Sequence, residues 1–223
     1  MTAARGDRRP RDLSVDCLNR LGVDRDDRIR GLCPNEWYGM KRRILVMLLF
    51  ALVIAGFGLL FSGCHTTYPR RNPLGESFPE VKGETLNGMP VRLPDDFAGK
   101  PALLLIGYEQ DTQFDLDRWL FGLQQAEVTI AVREVPTIPG LGPRMFAGAI
   151  DSGMRRGIPD EDWGSVITLY SDAEPVAKFT GNDNTLPGRL VLLDATGRVA
   201  FFHDEGYSVG VLNRLREVIA AME

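Results

Sequence analysis

Hydrophobic and polar positions divide the chain into stretches with different patterns. Residues 1–39 alternate Arg and Asp through RGDRRPRDLSVD and VDRDDRIRG with little apolar periodicity. Residues 44–61 form one apolar run, with Lys41, Arg42 and Arg43 before it and Ser62, Gly63 and Cys64 after it. Residues 65–79 carry Pro69, Pro73 and Pro79 and no apolar period. They read as a semi-extended tether, at most about 50 Å long at roughly 3.3 Å per residue. From residue 80 onward short apolar segments alternate with polar turns, as in a packed domain.

Within that domain, Glu80 to Leu93 reads as a hairpin about a two-residue Asn87-Gly88 turn, flanked by Val81, Leu86, Val91 and Leu93. Ala102 to Gly107 (ALLLIG) is the continuous apolar run of a strand buried on both faces. Asp111 to Gln125 predicts a helix, with Thr112 and Asp115 at capping-box spacing and Leu116, Trp119, Leu120 and Leu123 on one face. Val128 to Val135 is a second, β-branched strand, followed by a Pro- and Gly-rich loop over residues 136–143. A helix over Arg144 to Met154 would turn Met145, Phe146, Ala149 and Ile150 inward. Ser165 to Tyr170 reads as a strand or as part of a longer excursion. Arg189 to Asp194 and Arg198 to His203 make a second hairpin, and Ser208 caps a last helix whose Leu212, Leu215, Ile219 and Met222 share a face. The order predicts an α/β domain, a mixed sheet with helices on both faces preceded by an N-terminal hairpin.

Composition narrows the chemistry. The 223-residue chain carries a formal charge of −4, but the part after Cys64 holds 15 Lys and Arg against 23 Asp and Glu. So acidic a domain is a poor candidate for nucleic acid. The cysteines are Cys17, Cys33 and Cys64, so no thiol follows Cys64 and neither an internal disulfide nor a catalytic cysteine is available in the domain beyond it. His65 and His203 are the only histidines. A lone imidazole at a hairpin end is usually solvated, so no metal and no cofactor is expected. Asp111 and Asp115 share a helix face, as a hydrolase dyad or cation site could use, but acidic first turns also suit helix ends. No Ser-His-Asp set, phosphate loop or nucleotide fingerprint appears.

The order of charge, apolar run and small residues is that of a secretory signal segment. Leu60-Phe61-Ser62-Gly63-Cys64 resembles the box of bacterial lipoprotein signals, with Phe where that family usually has Leu. The resemblance implies cleavage before Cys64 and lipid on its sulfur. The alternative is an uncleaved helix, since 18 residues give about 27 Å, barely a bilayer's thickness. Both place the following domain outside the cytoplasm, because positive residues stay inside. Residues 1–39, with eight Arg against seven Asp and Glu, are either an artefact of a start at Met40 or a cytoplasmic extension. The chain is thus expected to comprise a 1–39 leader, a 40–63 signal segment or anchor, a 64–79 tether and an 80–223 domain.

GESFPEVKGETLNGMPVRLPDDFAGKPALLLIGY resembles the opening of the redoxin branch of thioredoxin-like proteins, and LVLLDATGRVAFFHDEGYS resembles its later hairpin. PTIPGLGPRMFAGAIDSGMRRGIP and FHDEGYS look like the thioredoxin-like assembly-factor family of the ATP synthase. Redoxins place their cysteines between the first core strand and the next helix, where the helix N-terminus lowers the thiol pKa. Here that stretch is Gly107-Tyr108-Glu109-Gln110-Asp111-Thr112-Gln113, without Cys. The resemblance therefore implies the fold without thiol chemistry, with Tyr108, Glu109, Gln110, Asp111 and Gln113 as candidate partner-binding residues. Pro187 and Gly188 would face them, Pro187 being the candidate for the family's cis-proline. A plainer reading makes Asp111 or Thr112 a cap and Tyr108 a packed strand end. The expectation is a membrane-tethered, non-redox binding or assembly module of the cell envelope, held through lipid on Cys64 or through residues 44–61 and working on an envelope protein. The alternative is an enzyme using carboxylates or Tyr108 in place of a thiol.

Overall fold

The computed structural model describes residues 43–48, 50 and 66–222. The chain divides into two units, Met1–Gly58 and Leu59–Glu223. In the first, residues 43–48 and 50 are helical, and Ile44, Leu45, Val46, Met47, Leu48 and Phe50 each expose half or more of their surface. Among the described residues no helix is long and apolar enough to cross a membrane. The 1–39 leader, the Ser62-Gly63-Cys64 box and most of the apolar run lie outside the described residues.

In the second unit the N-terminal hairpin pairs β1 (Val81–Thr85) with β2 (Pro90–Leu93). Its turn holds three residues rather than two. Thr85 N–H donates to Met89 O at 2.9 Å and Gly88 N–H to Thr85 O at 2.8 Å, with Gly88 at φ +85°. A positive φ after a tight turn is the position a three-residue hairpin reserves for Gly.

The run ALLLIG becomes β3 (Ala102–Gly107), and every residue of it is buried. A parallel partner, β4 (Ala131–Pro136), begins three residues later than its β-branched run suggests. On the other side β3 pairs antiparallel with β6 (Arg189–Leu193), which pairs antiparallel with β7 (Val199–His203). The resulting order β4-β3-β6-β7 is that of a thioredoxin-like sheet. A two-residue strand β5 (Ile167–Thr168) joins the hairpin in a second sheet, β2-β1-β5.

Alternation along β3 and β6 sends side chains to both faces. Leu103, Leu105, Leu190 and Leu192 meet α1 (Gln113–Gln125) through Leu116, Trp119 and Leu123, and meet the C-terminal helix Val209–Ala220 through Val211, Leu212, Leu215 and Ile219. Ser208 occupies the N-cap of that helix without a side-chain bond to it. Leu104, Ile106, Val191 and Leu193 meet Phe78, Val81 and Leu93 of the hairpin region.

The crossover before β6 departs from expectation. Two helices, α2 (Leu141–Met145) and α3 (Ala147–Gly157), replace the predicted one. Met145 is 79% exposed, Phe146 half exposed and α3 fully buries no residue, so of the expected inward stripe only Ile150 is half-buried. The core is closed instead by α4 (Ala173–Thr180), through Ala173, Val176, Ala177 and Phe179. The helix at Val209–Ala220 is α5.

Candidate functional site

The register places Gly107 opposite Pro136, Ile106 opposite Arg189 and Leu190 opposite His203. One edge of the sheet therefore gathers the ends of β3, β4 and β7 and the start of β6, with the stretch where redoxins carry cysteines. There a 3-10 turn, Gln110–Thr112, leads into α1. The capping box is formed by Glu109 and Thr112, not by Thr112 and Asp115. Thr112 Oγ1 donates to Thr185 O at 2.8 Å, stitching the helix start to the loop before β6.

Asp115 is free of capping and holds the site together. Its Oδ2 accepts from Gly188 N–H at 2.9 Å and its Oδ1 from Tyr207 N–H at 2.7 Å. Gly188 fits closely here, since a Cβ there would lie 2.3 Å from Leu116 Cδ2 and force that side chain to shift. The cis peptide among the described residues is Leu93–Pro94, so Leu186–Pro187 is trans, contrary to the redoxin pattern.

Beneath the loop lies Arg189, only 1% exposed. Its Nη groups donate to the carbonyls of Pro187, Gly181 and Asn184, while its Nε finds no partner among the described residues. The guanidinium stands 5.5 Å from the Tyr108 ring centre, and burial lowers its pKa. Tyr108 is buried and shares a hydrogen bond with Thr180 Oγ1. Burial pushes its phenol up to about 12, against the pull of Thr180 and Arg189. Tyr108 thus shapes the floor of the site and is not part of its surface, which corrects its candidacy as a partner-binding residue.

Glu109, Gln110, Asp111 and Gln113 are exposed, Pro187 is partly so and Gly188 is buried. Gln113 Nε2 donates to Asp117 Oδ1 at 2.8 Å and to Glu134 Oε2 at 3.2 Å. Burial raises the pKa of Glu134, Gln113 opposes that, and Asp117 and Asp162 reinforce it. Two exposed apolar side chains complete the rim, Phe114 at 71% and Leu186 at 58%. Phe114 lies outside the Leu116-Trp119-Leu123 stripe, the sequence signal that marks it as outward. His203 does not stand free: its Nε2 lies 2.8 Å from Gly206 O and its ring packs edge-on to Trp119. Among the described residues no group of three His, Cys, Asp or Glu side chains is placed to hold a metal.

The tether is docked rather than free. Tyr68 N–H donates to Asn182 Oδ1 at 2.7 Å, Asn182 N–H to Tyr68 O at 3.0 Å and Asn182 Nδ2 to Thr66 O at 3.3 Å. Arg70 N–H donates to Asp183 Oδ2, and its guanidinium binds Asp204 at 2.7 Å and Glu205 at 2.6 Å. Gly181 makes this possible, because a Cβ there would lie 2.7 Å from Pro69 O.

No protein-family model matches the chain, and no curated protein matches it in sequence. Similar solved structures include a SCO1/SenC family lipoprotein from Bacillus anthracis, 13% identical, covering 70% of this chain and 100% of its own, with a TM-score of 0.48. Yeast Sco1 with copper bound is 14% identical over 68% of this chain and 95% of its own, TM-score 0.48. The thioredoxin domain of a thiol-disulfide oxidoreductase from Bacteroides vulgatus is 17% identical over 67% and 99%, TM-score 0.43. The fold assignment itself stands on the strand order.

Proposed function

We propose that this chain is a membrane-tethered binding or assembly module of the cell envelope, built on a thioredoxin-like domain that has no redox chemistry. The carrying observation is the junction between β3 and α1. Where redoxins hold a thiolate, this chain presents Glu109, Gln110, Asp111 and Gln113, flanked by exposed Phe114 and Leu186. No cysteine follows Cys64, so disulfide exchange and thiol-based peroxide reduction have no nucleophile. In this reading the two exposed apolar side chains, set among polar ones at the same end of the sheet, serve as anchors for a protein partner. In this proposal the anchor is lipid on Cys64 or the apolar run 44–61, and the partner is an envelope protein.

The rival reading, an enzyme working through carboxylates, draws on Glu134, whose pKa is raised beside the start of α1. Its carboxylate is engaged by Gln113, as a structural acid would be.

The test is capture of partners from solubilised envelope by the chain and by a Phe114→Ala, Leu186→Ala double variant. Loss of two anchor side chains should weaken capture about tenfold or more, with melting temperature unchanged because both are exposed. Palmitate labelling lost in Cys64→Ser would support the lipid anchor. Capture unaffected by the double variant would move the surface elsewhere, and turnover abolished by Glu134→Gln would favour the enzyme.

A further inference from the structure

We infer that residues 66–71 are a strap that holds the β3–α1 end of the sheet toward the membrane, so that what reaches the rim is held in or on that membrane. The inference rests on the proposed anchoring through Cys64 or residues 44–61. Three observations carry it.

The first is where the strap lies. Thr66, Tyr68 and Arg70 bind Asn182, Asp183, Asp204 and Glu205. Asn182 and Asp183 belong to the same loop as Thr185, Leu186 and Gly188, and Asp204 follows the end of β7 directly. Strap and rim therefore share one end of the sheet.

The second is direction. Beyond Arg70 the chain runs to the opposite end of the sheet, where Gly75 N–H donates to Val199 O and Phe78 N–H to Gly197 O. The anchor side of the strap is thus the rim end, and the far end is reached only after the chain has been pinned.

The third is reach. Two residues separate Cys64 from Thr66 inclusive of the latter, and residues 62–65 separate it from the apolar run. At roughly 3.3 Å per residue the docked strap begins within about 7 Å of a lipidated Cys64, or within about 17 Å of the end of residues 44–61. Without docking, the tether through Pro79 would allow about 50 Å and any orientation. The bonds are numerous enough to matter: reciprocal contacts between Tyr68 and Asn182, the phenol of Tyr68 on Glu174, and Arg71 over the Phe179 ring at 5.4 Å.

The experiment uses the full chain, purified with its anchor, in phosphatidylcholine vesicles carrying an energy-transfer acceptor on a small fraction of headgroups. A donor dye is attached through an unnatural amino acid at position 186, on the rim, or at position 100, exposed at the other end of β3. Transfer should be at least about twofold stronger from 186, since the length of β3 adds roughly 17 Å to the separation. The difference should shrink in Arg70→Ala, Asn182→Ala. It should also vanish when about 20 Gly and Ser residues are inserted between His65 and Thr66, an addition worth roughly 25 Å of mean span. That insertion leaves every strap bond in place, so it reads orientation without disturbing the fold. Equal transfer from both positions in a chain that floats with the vesicles would overturn the strap. So would a difference that survives the insertion. A chain that does not float with vesicles would instead refute the anchoring, and the inference with it.

Discussion

Asp115 Oδ2 stands 2.9 Å from the backbone nitrogen of Gly188, so a carboxylate in the first turn of α1 fixes the loop that enters β6, 73 residues away. Through Oδ1 the same side chain fixes Tyr207 before α5. Three segments of the candidate site thus depend on one residue. Asp115→Ala should cost about 2–4 kcal/mol, because two backbone donors lose a charged acceptor. Asp115→Asn keeps one acceptor oxygen and should recover part of the loss. Denaturant titration of the two variants checks this, and equal stability of Ala and wild type would show that the bonds contribute nothing.

The contact between Gly188 and Leu116 predicts a coupled pair. Gly188→Ala forces a methyl against Leu116 Cδ2 and should cost about 1–3 kcal/mol. Leu116→Ala opens a cavity and should cost about 2–5 kcal/mol. Together they should destabilise by at least ~1 kcal/mol less than their sum, since each makes room for the other. Strict additivity in the double-mutant cycle would contradict the close approach.

Tyr108 predicts alkaline behaviour. Its folded pKa of about 12 exceeds the ordinary 10.0 because burial disfavours the phenolate. The neutral phenol's contribution is complete below pH 10.0 and is lost as pH rises towards about 12. Tyr108→Phe should flatten the fall of stability in that window. At neutral pH it should cost only about 1 kcal/mol, the worth of one hydrogen bond, because Thr180 Oγ1 still bonds Val176 O and Gly181 O. An unchanged slope above pH 10.0 would mean that Tyr108 is not the titrating group.

Glu134 works on the acid side with the same sign. Burial raises its pKa, so the folded state prefers the neutral acid. Its carboxylate therefore weakens the fold at neutral pH, and the penalty fades as pH falls through the raised pKa. Glu134→Gln should raise the melting temperature at pH 7 and leave it unchanged near about pH 3, where the native acid is also protonated. A lower melting temperature at pH 7 would show that the charge is favourable where it sits.

Much of the architecture could be read along the chain because period reports burial. ALLLIG announced a strand covered on both faces, and Leu116, Trp119 and Leu123 announced the buried stripe of α1. The crossover does not follow its own pattern: Met145, Phe146 and Ile150 carry helical spacing, yet α3 fully buries no residue. The helix that closes the core, α4, hid behind Pro175 and a length of eight residues. Proline is tolerated in a first turn, and Ala173, Val176, Ala177 and Thr180 do carry the i, i+3, i+4, i+7 spacing.

The sequence by itself determined the fold class and the lack of any cysteine after Cys64, since apolar period and residue identity are both local facts. Tertiary structure decided which polar groups meet. Tyr108 is a natural surface candidate until Thr180 and Arg189 enclose it. Asp115 passes for a cap until Gly188 and Tyr207 arrive, and the tether passes for a free linker until Arg70 finds Asp204, 134 residues on. A hydrogen bond is directional and reaches about 3 Å, so no one-dimensional pattern specifies its partner; only the folded register of β3, β6 and β7 brings these groups within range.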